Sequence, residues 1–132
     1  NFGIARASEI SPVHSAILEN VVYTFHQDTP VIQPDMLETL WCAVNRVTKS
    51  GRRLGSDEAI SIEDALKAVT INAAYQYFEE NERGSIELGK LADFVILSQD
   101  PRQVDPMKIR DIEVLATIKE GRCCYRKNTF EK

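Results

Sequence analysis

The sequence predicts an α/β segment followed by an all-β segment, and three observations carry that expectation. An apolar run, Val21-Val22-Tyr23-Thr24-Phe25, ends abruptly at Asp28 and Pro30. Two later stretches, 36–49 and 61–78, repeat their apolar residues at helical spacing behind capping residues. After Gly84 the helical period gives way to short strand-like runs. These observations divide the chain into residues 1–80, a strand with its helices, and residues 81–132, a β segment.

Each element has a local reason. Ser11 followed by Pro12 suits the start of a short helix, because proline is tolerated in the first helical turn. The run 21–27 reads as a strand covered on both faces, since its apolar residues do not alternate with polar ones. Pro30 lacks an amide donor and biases Thr29 away from helix, so the strand should stop near Gln27 or Asp28. Asp35 with Glu38 forms a capping pair for the helix at 36–49, and Gly51 suits its end. Met36, Leu40, Ala43, Val44 and Val47 line one face of that helix. Ser61 and Asp64 form a second capping pair, for a helix running to about Phe78 that buries Ile62, Ala65, Leu66, Val69, Ala73 and Tyr77. Strands are expected at 94–97, 113–119 and 122–126, with Glu120-Gly121 as a two-residue hairpin turn.

Bulk properties exclude several functions. A net charge of −4, with 16 basic against 20 acidic residues, leaves no cationic stripe to neutralise a nucleic-acid backbone. No apolar stretch approaches the roughly 20 residues needed to span a bilayer, so small soluble substrates are expected instead. At 132 residues the chain can bury one modest core but is short of the roughly 250 of a complete α/β barrel. It opens on Asn1 rather than Met, and the expectation is that further sequence lies upstream. Cys42, Cys123 and Cys124 are an odd count with two adjacent, so they are expected to be reduced thiols packed as small hydrophobes in a cytoplasmic protein.

The segment Phe25-His26-Gln27-Asp28-Thr29-Pro30-Val31, followed by Trp41-Cys42-Ala43-Val44-Asn45-Arg46, resembles the last βα unit of the amidohydrolase superfamily, in its YtcJ-like branch, amidohydrolase family 3. Downstream, Gly84 to Leu97 is similar to the segment with which those enzymes leave the barrel for a small β-domain. The resemblance runs from about Ser11 to Tyr125. It implies the last βα unit of a TIM-type metal-dependent hydrolase barrel, followed by part of a β-sandwich accessory domain. The implied activity is hydrolysis of non-peptide carbon–nitrogen bonds, of amide or N-substituted formamide type, with a divalent metal, zinc, in the whole enzyme.

Asp28 is the candidate catalytic and metal-binding residue, since the family places a carboxylate that binds metal and manages protons at the end of the eighth strand. A bound divalent metal lowers the pKa of its water, and a carboxylate beside it can accept the proton. Taken on its residues alone, Asp28 reads more simply as a turn aspartate. His26, two residues earlier, shares its side of the strand and is the candidate to support the site from behind; a core histidine with satisfied nitrogens is the plainer reading. Arg46 matches a family arginine but sits where a helix-end cation would, and Lys90 and Asp93 are expected to be structural. The family's His-x-His pair, its central lysine or cysteine, and the histidines of the fifth and sixth strands have no counterpart here. The isolated chain is therefore expected to be inert, to hold no tightly bound metal, and to self-associate through its uncovered strand. The alternative from another class is a non-catalytic structural or interaction module. Nothing in the chain identifies substrate contacts.

Overall fold

In the computed structural model, which describes residues 3–128, the first helices are short: α1, Gly3–Ser8, and α2, Val13–Leu18. Helix α2 begins one residue later than the Ser11-Pro12 pair predicts: Pro12 is its N-cap, without a side-chain capping bond, rather than part of its first turn, and Ser11 has a φ of 53°. The Glu58 carboxylate pins its first turn by accepting from the Ser15 backbone N–H at 3.0 Å and from the Ser15 hydroxyl. Those bonds hold the Glu58 carboxyl below its ordinary range.

The strand expected at 21–27 does not form. Residues 21–28 form neither helix nor turn, but a strand is a paired element, and none of the described residues runs beside this segment to complete a ladder. Side chains hold it instead. Asn72 Nδ2 donates to the Tyr23 carbonyl at 3.0 Å, and the Thr24 hydroxyl donates to Gln76 Oε1 at 2.8 Å. Val21 and Val22 remain more than half exposed.

Helix α3, Met36–Asn45, starts where expected, with the Asp35 carboxylate accepting from the N–H groups of Leu37 and Glu38, but the Glu38 half of the capping pair does not form, because the Asp35 N–H goes to Gln27. It ends four residues earlier than its periodicity suggests. Arg46 adopts a left-handed conformation, φ 53°, and its N–H closes on the Cys42 carbonyl. Val47 then pairs with Arg53 in an isolated bridge, so Gly51 serves the tip of that turn rather than the helix end.

The helix expected over 61–78 is two helices, α4 (Ile62–Val69) and α5 (Ile71–Gln76), broken at Thr70. Ser61 caps α4 by accepting from the Asp64 N–H at 3.1 Å. Val69, Thr70 and Ile71 are consecutive β-branched residues that crowd a helix. The Thr70 hydroxyl donates to the Leu66 carbonyl at 2.7 Å. Gly84 approaches the break so closely that a Cβ there would lie 2.7 Å from Ala74 Cβ and 2.9 Å from Ile71 Cα, and its φ is +89°.

The β segment follows the expected order. Strands β1 (Phe94–Leu97), β2 (Val114–Lys119) and β3 (Arg122–Arg126) form one antiparallel sheet in the order β1-β2-β3. Glu120 and Gly121 both have positive φ, which is the primed turn that a two-residue hairpin requires. Between β1 and β2 lies a 3-10 helix, Pro106–Asp111. Its Ile109 is 1% exposed and packs with Leu37, Leu40, Trp41, Ile60, Ala65 and Ile112 in one buried cluster. That core draws on residues from both sides of residue 80, because Trp41 and Asn45 of α3 donate to the Met107 and Pro106 carbonyls at 3.0 and 2.9 Å. No described helix is long and apolar enough to cross a membrane.

Candidate functional site

Asp28 stands at the end of the extended run, exposed, with His26 exposed two residues before it and Gln27 buried between them. The alternation of a strand therefore persists locally without the ladder. His26 is not the satisfied core histidine of the plainer reading, since its side chain faces solvent. Among the described residues no side-chain hydrogen bond joins His26 to Asp28. The Asp28 carbonyl accepts from the Val31 N–H at 2.8 Å across a turn containing a cis Thr29-Pro30 bond. Residues 28–36 are all exposed, so this is a surface loop running from Asp28 to the start of α3.

Gln27 is the residue that the sequence left unassigned. It is 8% exposed, and its Oε1 accepts from the Asp35 N–H at 2.5 Å. Its Nε2 donates to the Asp35 carbonyl and to the Thr39 hydroxyl, the latter at 2.6 Å. A polar side chain on the inward phase of an apolar run was the available signal, because a buried amide must find partners.

Arg46 is neither a helix-end ion pair nor a free cation. Its guanidinium donates to the carbonyls of Leu54, Gly55, Ser11, Ser8 and Ile10, at 2.7–3.4 Å. It thus ties the loop after α3 to the connection between α1 and α2, a use that suits arginine's planar set of donors. Lys90 and Asp93 are structural, as expected. Lys90 donates to the Glu80 carbonyl and the Ser85 hydroxyl, while Asp93 accepts from the Glu120 N–H at 2.8 Å and faces Arg83 at 3.5 Å. The three cysteines are free but exposed, so they do not pack as small hydrophobes. Cys42 lies on the outer side of α3, and the other two lie on β3, an edge strand exposed along its length.

The residues described here do not by themselves fit a metal centre. Asp28 offers one carboxylate, and among the described residues no group of three or more His, Cys, Asp or Glu side chains converges. Three protein ligands are the usual minimum for a catalytic zinc. Two surface cavities, of about 230 and about 650 Å3, are lined by other residues; the larger runs between Leu66, Ala73 and Tyr77 and the face of β1. Neither includes Asp28 or His26 in its walls.

Comparison with known proteins places these features in a family. The sequence matches the Amidohydrolase family over residues 1–125. It is 34% identical over 119 residues to an N-substituted formamide deformylase of Arthrobacter pascens, covering 90% of this chain and 22% of that enzyme. It is 31% identical over 104 residues to YtcJ of Bacillus subtilis strain 168, covering 76% of this chain and 20% of that protein. The fold is similar to that of an amidohydrolase from Thermotoga maritima MSB8, with a TM-score of 0.66 and 23% identity, over 87% of this chain and 26% of that one. The chain thus spans about a fifth of the length of the curated relatives it matches. An extended apolar run ending at Asp28, a capped helix behind it and a return into a three-stranded sheet, matched along nearly the whole chain, make this protein a member of the amidohydrolase family.

Proposed function

We propose that this segment supplies the last βα unit of a TIM-type barrel, residues 1–80, and part of a β-sandwich accessory domain, residues 81–132, in a metal-dependent hydrolase. The reaction we assign is hydrolysis of non-peptide carbon–nitrogen bonds in small amides or N-substituted formamides. The observation that carries this reading is the 34% identity to an N-substituted formamide deformylase across 90% of the chain. In it, Asp28 is the catalytic carboxylate and one ligand of a divalent metal, zinc, whose other ligands lie outside this segment. His26 supports it from the same side. A cytoplasmic location belongs to the same proposal, consistent with three free cysteines.

The test is an amide-hydrolysis assay on the polypeptide as it is encoded, with an N-substituted formamide and a simple amide as substrates. Turnover of either should be abolished by a chelator and restored by zinc. A metal-replete protein that releases amine from neither would favour the non-catalytic interaction module.

The isolated 132 residues should hydrolyse neither substrate and should self-associate. Val21 and Val22 on the unladdered run, and Phe78, Ile86 and Leu88 beyond α5, leave apolar surface uncovered. Light scattering across a concentration series should show mass rising with concentration. A monodisperse monomer with a concentration-independent melt would contradict the prediction.

A further inference from the structure

We propose that Gln27 is a positioning residue: its buried amide clasps the two ends of the loop that carries Asp28 and so sets where that carboxylate stands. The inference deepens the reading of Asp28 given above and rests on it. The loop from Asp28 to Pro34 is exposed throughout and contributes nothing to the buried core. Its far end is well anchored, because the Asp35 carboxylate caps α3 and α3 buries Leu37, Leu40 and Trp41. Its near end, Gln27, has no strand partner to fix it.

The Gln27 side chain supplies the missing connection. A capping box would return the side chain three residues into the helix, Glu38, to the Asp35 N–H. Here Gln27 Oε1 takes that N–H at 2.5 Å, and Glu38 turns to Arg110 at 3.8 Å. Gln27 Nε2 binds the Asp35 carbonyl, the same residue's other backbone group, and Thr39 Oγ1 accepts its remaining proton at 2.6 Å. The Thr39 hydroxyl in turn donates to the Asp35 carbonyl at 3.2 Å, so the network is closed. On the outer side the Thr29 hydroxyl donates back to the Gln27 carbonyl at 3.0 Å. The residue immediately before Asp28 is thereby tied by hydrogen bonds to the first turn of α3.

Gln27→Met keeps length and bulk but removes every bond of the clasp, whereas Gln27→Glu keeps an acceptor for the Asp35 N–H and loses both donors. Hydrogen exchange of the Val31 and Asp35 amides in this chain should accelerate at least tenfold in Gln27→Met and less in Gln27→Glu. In the polypeptide as encoded, kcat should fall about 10–100-fold for Gln27→Met, with KM changed less than threefold and partial recovery in Gln27→Glu, since a displacement of about 1 Å at a reacting group costs on that order. Unchanged exchange in Gln27→Met overturns the clasp, whatever Asp28 does. Faster exchange with kcat within threefold, in a protein that Asp28→Asn does inactivate, overturns the positioning role. Normal turnover in Asp28→Asn itself removes the assignment of Asp28, and the positioning role with it, while the exchange result still reports on the loop.

Discussion

Asp28→Asn is expected to lower kcat by at least about 100-fold in the polypeptide as encoded, while leaving the melting temperature nearly unchanged, since general acid–base contributions are worth about 10²–10⁴-fold. Asparagine keeps the size and shape of aspartate but cannot accept a proton at neutral pH. The fold has no reason to notice the exchange. Asp28 is exposed, and the bond that closes its turn comes from its backbone carbonyl rather than its carboxylate. Asparagine also serves well in turns. The loss should therefore fall on turnover, and a kcat within about threefold of the parent, measured beside the melting temperature, would remove Asp28 from the mechanism.

Trp41→Ala is expected to cost about 3–5 kcal/mol of folding stability, the range for truncating a buried aromatic. Domains are stable by only about 5–15 kcal/mol, so this variant should be close to unfolded at physiological temperature. Trp41 is 3% exposed at the centre of the buried cluster. Its indole N–H donates to the Met107 carbonyl at 3.0 Å, and the Arg110 guanidinium lies over its ring at 4.1 Å. Truncation would thus open a cavity, leave the Met107 carbonyl without its donor and loosen the 3-10 helix Pro106–Asp111 from α3. Trp41→Phe should keep most of the packing and lose chiefly the hydrogen bond, about 1 kcal/mol. Trp41 is the only tryptophan in the chain, so the comparison calls for urea denaturation followed by circular dichroism. Equal midpoints for the parent and Trp41→Ala would refute the central place given to this side chain.

Elements whose specification is local were legible in the sequence. The Asp35 and Ser61 caps and the Glu120-Gly121 hairpin depend on residues and their own neighbouring backbone, and each stands where the residues put it. The family was legible for a related reason, because its two motifs lie in contiguous stretches that match in order. Asp28 was singled out by that resemblance, since on its residues alone it reads as a turn aspartate.

What depended on distant partners was decided only by the tertiary structure. The run at 21–27 has every local feature of a strand yet forms none, since pairing is a property of two segments and no described segment lies alongside. Helix periodicity continued past Arg46 and through Thr70, but α3 stops where Arg46 turns to five carbonyls of other loops, and α4 gives way to α5 where Gly84 comes close. The 3-10 helix at Pro106–Asp111 has a local start, with Asp105 accepting from the Met107 N–H at 2.9 Å, but it is held in place by Trp41 and Asn45, more than sixty positions away. Gln27 belongs with these: its composition reads as one polar residue in an apolar run, and its partners, Asp35 and Thr39, are supplied by the fold of the loop between them. Sequence thus determined which segments begin and what family they serve, whereas long-range hydrogen bonds and packing determined where they end, because the energy that stops a helix or completes a strand comes from atoms that the chain brings together only on folding.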